Sequence, residues 1–168
     1  MFKVYLVDGT PSWERVPADY EAHPGEVLLP ESPTLDDLGA RFPDAVMAAA
    51  AKERCRAVDE LREAKFATGM DYGGKVLQLR DVDQQRIIAA GAQAKFALIT
   101  QSPWPEGFGW IMADNTLLPL SAAGMSAMAD AAASQVQAWI FTGHAHKQEI
   151  RALTDVASIE AYDIESGW

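Results

Sequence analysis

Short turn signals flanked by strand-like segments are the feature of this sequence that most constrains its fold. Asp8-Gly9, Gly73-Gly74 and Asp114-Asn115 are dipeptides typical of the tight turns that join two antiparallel strands. Around the first and third signals, large apolar residues alternate with other residues, as expected of strands that bury one face. The sequence therefore predicts three separate β-hairpins.

Segments with helical periodicity separate and follow these hairpins. Apolar residues recur at helical spacing over residues 44–65, 81–98 and 121–153. The candidate N-cap residues of the last two helices are Asp81, Asp83 and Ser121. The predicted inner face of the 81–98 helix consists of Ile87, Ile88, Gly91, Ala94 and Leu98. This alternation of hairpins and helices predicts an α+β fold.

Proline dominates the region that follows the first hairpin. Residues 17–33, here called the proline-rich arm, contain four prolines, and residues 26–29 are the one stretch within it predicted to form a strand. Thr34 is placed to cap a short helix after the arm. The apolar stripe of that helix is Leu35, Leu38 and Phe42.

The length of 168 residues allows one domain, or a small domain with an appendage. The patterns predict three parts within it. An N-terminal hairpin and the proline-rich arm occupy residues 1–43, a connecting helix occupies residues 44–68, and a hairpin-helix-hairpin-helix domain occupies residues 69–168.

Composition excludes several classes of protein. Lysine and arginine total 14 against 24 aspartate and glutamate residues, and this net charge of −10 argues against binding to a nucleic-acid backbone. The single cysteine, Cys55, is interpreted as a partly buried apolar residue. Apolar runs are short and residues 1–5 lack a signal-peptide core. We therefore expect no membrane segment and synthesis in the cytoplasm.

Candidates for catalysis and metal binding are weak. His144, His146 and Glu149 are suitable ligand types, but residues two apart on a helix point about 200° apart and cannot chelate one ion. We interpret both histidines as solvated. Asp81-Val82-Asp83 lacks the glycine and glutamate of a calcium loop, and no phosphate-binding loop or nucleophile elbow is present. The sequence predicts no enzymatic activity, no catalytic or metal-binding residue and no cofactor.

Tryptophans are better candidates, since they are enriched at interface hot spots. Trp104, Phe108 and Trp110 surround a loop rich in proline. Phe108 and Trp110 are interpreted as core residues of the third hairpin, which leaves Trp104 as the predicted exposed anchor. Trp13 and Trp168 are further candidate interaction residues, although each is equally compatible with covering a small core.

The helix over residues 44–65 has a narrow, alanine-rich apolar stripe on a highly charged surface. Such a stripe is typical either of a coiled-coil seam or of a connector packed lightly on its own domain. Val58 and Leu61 lie in the stripe and are candidate interaction residues. Because a lone stripe buries little area, we predict a homo-oligomer with this helix near the symmetry axis.

Several short motifs in the second half occur in a characteristic order. They are Tyr72-Gly73-Gly74-Lys75-Val76-Leu77, Asp83-Gln84-Gln85-Arg86-Ile87, Trp110-Ile111-Met112-Ala113-Asp114-Asn115, then Val136, Gln137 and Lys147, and finally Gly167-Trp168. In order and spacing, residues 62–168 resemble a domain of unknown function of tailed bacteriophages and prophages, present in tail fibre, tail fibre assembly and tail structural proteins. Residues 1–41 are not covered and look like a variable leader.

The resemblance implies a place in a phage tail or in its assembly, and it carries no catalytic motif. It implies a structural virion protein, a tail fibre or baseplate-associated connector, whose partners are other tail or fibre proteins. The alternative is a tail fibre assembly chaperone that is absent from the mature virion. The resemblance also implies synthesis in the host bacterial cytoplasm, and it makes a trimer the first expected oligomer.

Overall fold

The computed structural model describes residues 1–34 and 36–168 and the backbone of residue 35. The strands are β1 (Phe2–Val7), β2 (Thr10–Arg15), β3 (Val27–Leu29), β4 (Met70–Tyr72), β5 (Lys75–Leu77), β6 (Gly109–Ile111) and β7 (Leu117–Pro119). The helices are α1 (Leu35–Arg41), α2 (Pro43–Thr68), α3 (Asp81–Thr100), α4 (Ala122–Ala152) and α5 (Val156–Ala161). With 53% helix and 16% strand, the structure confirms the predicted α+β class.

The chain divides into two compact units, each built from two segments. The first unit consists of Met1–Ala57 and Lys147–Asp163, and the second consists of Val58–His146 and Ile164–Trp168. Both α2 and α4 contribute residues to each unit. The predicted division into residues 1–43, 44–68 and 69–168 stays a prediction about how the chain is organised.

The first unit is organised around a three-stranded sheet in the order β2-β1-β3. Asp8 and Gly9 have φ angles of 49° and 78°, so they form the predicted tight turn that joins β1 to β2. The central strand places Val4 opposite Trp13 of β2 and Val27 of β3. Val4 is fully buried, and its core partners are Leu29 and Leu38, with Phe42 and Val46 packed against them.

Polar side chains fix the proline-rich arm beside this sheet. The Glu26 carboxylate accepts hydrogen bonds from the Tyr20 hydroxyl (2.7 Å) and the His23 backbone N–H (3.0 Å), and Lys3 Nζ lies 3.0 Å from it. The His23 and Tyr20 hydrogen bonds, with the ammonium of Lys3, lower the pKa of Glu26 to about 2. The arm therefore depends on an ionised carboxylate.

Capping explains where the shorter helices begin. Thr34 and Asp37 form a capping box at α1, as predicted, while the predicted stripe residue Leu35 lies outside the described side chains. Helix α5 was not predicted; the Asp155 side chain caps it by accepting from the Ser158 N–H at 2.8 Å.

Cys55 is a buried free thiol, in agreement with its interpretation as an apolar residue.

The second unit contains the two remaining hairpins, β4–β5 and β6–β7, with α3 and most of α4. Gly73 and Gly74 both have positive φ angles, so the second predicted turn is confirmed. Helix α3 corrects the predicted caps: Arg80 is its N-cap without a side-chain bond, and Asp83 is buried and accepts from Arg80 Nε at 2.7 Å. Ser121 Oγ accepts from the Gly124 N–H at 3.1 Å, as a capping residue does.

The core of the second unit is rich in methionine and small residues. Its buried members are Leu77, Leu79, Ile87, Ala94, Ala97, Met112, Ala122, Met125, Met128, Ala132 and Trp139. At Gly91, a Cβ atom would lie only 2.5 Å from the Cβ of Ala129. Glycine at this position therefore allows α3 to pack unusually close to α4.

Among the described residues, none of the helices combines the length and apolar character that crossing a membrane requires.

Candidate functional site

Helix α3 presents large apolar side chains on the side that faces away from its own core. Its buried positions include Gly91, Ala94 and Ala97. Exposed side chains include Ile88 (65%), Phe96 (64%) and Ile99 (82%). The exposed residues Ile88, Ala92, Phe96 and Ile99 follow one another at spacings of four, four and three residues, so they form one continuous stripe. We call these four residues the apolar ridge.

A groove of about 210 Å³ runs along one side of the apolar ridge, between α3 and α4. Leu79, Ile87 and Ile88 line it from one side, and Ala132, Val136 and Ile140 from the other. Phe141 follows Ile140 on α4 and lies one turn beyond Gln137, another lining residue, with 62% of its surface exposed. We call this cavity the α3–α4 groove; its lining is aliphatic apart from Gln84 and Gln137.

A second cavity, of about 430 Å³, lies on the other side of the apolar ridge and includes Trp104. Phe96 and Phe108 also line it, together with Pro103 and Pro105. Trp104 is half-buried, donates from Nε1 to the Leu120 carbonyl at 3.0 Å, and meets the Phe108 ring edge-on at 4.6 Å. The prediction of an exposed anchor is thereby corrected: Trp104 forms the wall of a groove because its ring covers the core and its N–H is bonded.

Charge is almost absent from this region. Between residues 87 and 101 the one charged side chain is Lys95, and between residues 122 and 146 it is Asp130. Lys95 Nζ and the Asp130 carboxylate form an ion pair at 2.7 Å. The apolar ridge and the α3–α4 groove are therefore electrically neutral, although the chain as a whole carries −10.

Trp168 and Leu61, two of the predicted interaction residues, line the same open cavity of about 510 Å³. Trp168 is half-buried, donates from Nε1 to the Ile164 carbonyl at 2.7 Å and stacks on His146 with ring centroids 5.6 Å apart. A ring nitrogen of His146 lies 3.0 Å from the Ser166 carbonyl. Trp168 thus holds the C-terminal segment on α4 and covers part of the core.

His146 is buried by these contacts, so the prediction that both histidines are solvated is wrong for His146 and correct for His144. The reason is tertiary, because the ring is covered by a tryptophan 22 residues later in the chain. Across the described residues, no group of three or more histidine, cysteine, aspartate or glutamate side chains is placed to hold a metal ion.

The remaining predicted interaction residues differ in exposure. Val58 is fully buried, and a Cβ at Gly143 of α4 would lie 3.7 Å from its Cγ1. Val58 therefore belongs to the core of its own chain, and the idea that it contacts other copies near a symmetry axis is corrected. Trp13 on β2 is 46% exposed and remains available for contact.

Sequence reasoning missed the apolar ridge. The predicted inner face of α3 includes Ile88 and Leu98, yet both are exposed, whereas Ile87, Gly91 and Ala94 of the same predicted face are buried. The detectable signal was a second stripe, because Ile88, Phe96 and Ile99 share a helix face distinct from that of Gly91. Two apolar stripes on one helix indicate two packing partners.

Comparison with protein families matches most of the chain to one family. Residues 49–166, more than half of the sequence, match the family model described as a domain of unknown function (DUF4376). The chain belongs to this family. The matched segment includes the apolar ridge, the α3–α4 groove and the cavity beside Trp104. The family description names no activity. No curated protein and no solved structure matches the chain significantly.

Proposed function

We propose that this DUF4376 protein is a non-enzymatic structural component of a bacteriophage tail, acting as a tail fibre or baseplate-associated connector through protein–protein contacts. The tail assignment is supported by the ordered motifs of residues 62–168, which resemble tail proteins of phages and prophages. The mode of action is supported by the apolar ridge and the grooves beside it. The proposed location is the virion tail, after synthesis in the bacterial cytoplasm.

The observation that carries a binding role is the exposure of Ile88, Phe96 and Ile99 on one face of α3. Single exposed apolar residues are ordinary, but contiguous apolar surface on a folded protein marks a site that another surface covers. Covering this face removes large side chains from water without desolvating charges, which is favourable for a lasting contact. The proposed partners are other tail or fibre proteins and further copies of this chain, with no part for nucleic acid or membranes.

The alternative is a tail fibre assembly chaperone. An apolar ridge also suits a protein that holds an unassembled fibre subunit and releases it, because such a surface shields apolar parts of the client. The two functions differ in where the protein is found after assembly is complete. A connector stays in the particle, whereas a chaperone is left behind.

Quantitative mass spectrometry of gradient-purified phage particles tests the proposal. We expect peptides of this chain at a fixed ratio to the major tail proteins, unchanged after a high-salt wash. Absence from particles, together with fibreless particles when the gene is deleted, identifies the chaperone instead. Absence without any assembly defect contradicts both functions.

A further inference from the structure

We propose that the occupant of the apolar ridge is a second copy of this chain, related to the first by a two-fold axis. Each copy would place its apolar ridge against the α3–α4 groove of the other. This inference rests on the proposed function only in that the ridge is a protein-contact surface; the two-fold pairing follows from the shape, charge and area of that surface.

Shape is the first argument. A two-fold contact uses the same surface on both copies, so that surface must contain both a projection and a matching depression. Here Ile88, Ala92 and Phe96 form a row spaced by four residues, and the α3–α4 groove begins at Ile88 itself. In the most common class of helix packing, rows of this spacing on two helices interdigitate, so the row on α3 is suited to packing against a helix of another copy. The surface thus contains both the projecting row and the adjoining depression that a two-fold contact needs.

Charge is the second argument. A chain with a net charge of −10 repels its own copies unless the contact is made where the charge is absent. Lys95 and Asp130 are the charged residues of the α3 and α4 segments concerned, and they neutralise each other within one chain. A strongly basic or acidic partner would find no complementary charge on this surface. A neutral apolar surface on a strongly acidic protein therefore suits a second copy.

Area is the third argument. The exposed fractions of Ile88, Phe96, Ile99 and Phe141 correspond to roughly 500 Å² of apolar surface, if a large apolar side chain exposes about 175 Å² in full. A standard stable interface buries about 800 Å² on each partner. Ile140 of the groove lining, which is 45% exposed, brings the exposed apolar surface to roughly 560 Å² on the same scale. A two-fold contact on this surface therefore comes close to the roughly 600 Å² per partner at the lower end of stable interfaces.

Sedimentation equilibrium of the full chain over a wide concentration range tests the pairing. The key variant is Ile88→Glu, and the matched control is Ile111→Glu on β6, where the parent isoleucine is 63% exposed. We expect a monomer–dimer equilibrium for the parent and the control. We expect Ile88→Glu to raise the dimer Kd by at least about 30-fold, because a charge would be buried at the centre of the contact.

A second variant, Phe96→Asp, controls for a local effect at residue 88. We expect it to raise the dimer Kd to a similar extent. Circular dichroism of all variants should match that of the parent, since each substitution is at an exposed position. Added salt should tighten the parent dimer because it screens repulsion between the acidic chains. A parent that is monomeric throughout, a trimer, or equal losses for Ile88→Glu and Ile111→Glu would each overturn the two-fold pairing.

These outcomes are separate from the test of tail function. Detection in purified particles without a dimer in solution overturns the pairing and leaves the tail proposal intact. A dimer that is weakened by Ile88→Glu, together with absence of the protein from particles, supports the pairing and contradicts the tail proposal. In that case the ridge is a self-association surface of a protein that acts outside the virion.

Discussion

The close approach of α3 and α4 at Gly91 can be tested by moving a single methyl group. In Gly91→Ala, the added Cβ would lie 2.5 Å from the Ala129 Cβ, whereas carbon atoms in ordinary contact are about 3.5–4.0 Å apart. Neither methyl group has a torsion that can turn it away, so the two helices must separate by about 1 Å or more. The substitution therefore acts on the packing of the whole helix pair.

Two opposing terms set the size of the effect. Overpacking of a core costs about 1–3 kcal/mol, while alanine in place of a helical glycine contributes about 1 kcal/mol in favour of the fold. We expect Gly91→Ala to lower the free energy of unfolding by up to about 2 kcal/mol. In the double variant Gly91→Ala/Ala129→Gly, the new Cβ would face the Ala129 Cα position at 4.0 Å, which is ordinary contact. The double variant should return to within about 0.5 kcal/mol of the parent.

Urea unfolding monitored by tryptophan fluorescence and circular dichroism measures these values and completes the double-mutant cycle. Gly39→Ala in α1 is the matched control, because a Cβ there meets nothing within 4 Å and the glycine has no positive φ angle. That control should be more stable than the parent by about 0.5–1 kcal/mol. The reasoning is refuted if Gly91→Ala stabilises the protein as Gly39→Ala does, or if Ala129→Gly fails to rescue it.

Two further predictions concern a turn and the proline-rich arm. Gly69→Ala should lower the Tm by several degrees more than Gly73→Ala: both have positive φ angles, but a Cβ at Gly69 alone would lie 2.3 Å from the Leu77 carbonyl oxygen. Because the pKa of Glu26 is lowered to about 2 from 4.5, its stabilisation is complete above about pH 4.5 and is lost as the pH falls towards 2. Between pH 4.5 and pH 2, the free energy of unfolding should therefore fall less steeply with decreasing pH for Glu26→Gln than for the parent. An equal pH dependence in the two proteins would contradict this.

Local features of the fold were predictable from the sequence. The Asp8-Gly9 and Gly73-Gly74 turns are confirmed, and Asn115 also has a positive φ angle of 59°, because these conformations depend on residues that tolerate the left-handed region. The strand predicted over residues 26–29 is β3. The positions of α1 to α4 were predicted within a few residues, because periodicity and capping are properties of short segments, whereas the short helix α5 was missed.

Features that depend on distant partners were not predictable in this way. His146 is covered by Trp168, and Trp104 is held by the Leu120 carbonyl; neither contact leaves a mark in the local sequence. Asp83 is a different case, because aspartate is common at N-caps but its carboxylate accepts a hydrogen bond from Arg80, only three residues earlier. For His146 and Trp104 the partner lies 22 and 16 residues away along the chain, which is beyond the reach of local sequence patterns.

The apolar ridge follows from how α3 packs inside its own chain. The buried face uses Gly91, Ala94 and Ala97, and these small residues let α4 come close while burying little side-chain area. Apart from the buried Ile87, the large apolar residues of the helix are left exposed, and Ile88 and Phe96 each keep nearly two thirds of their surface accessible. Covering them would contribute about 1–2 kcal/mol each. The inner face of α3 is thus buried against α4, whereas its outer apolar face can be buried only by another molecule.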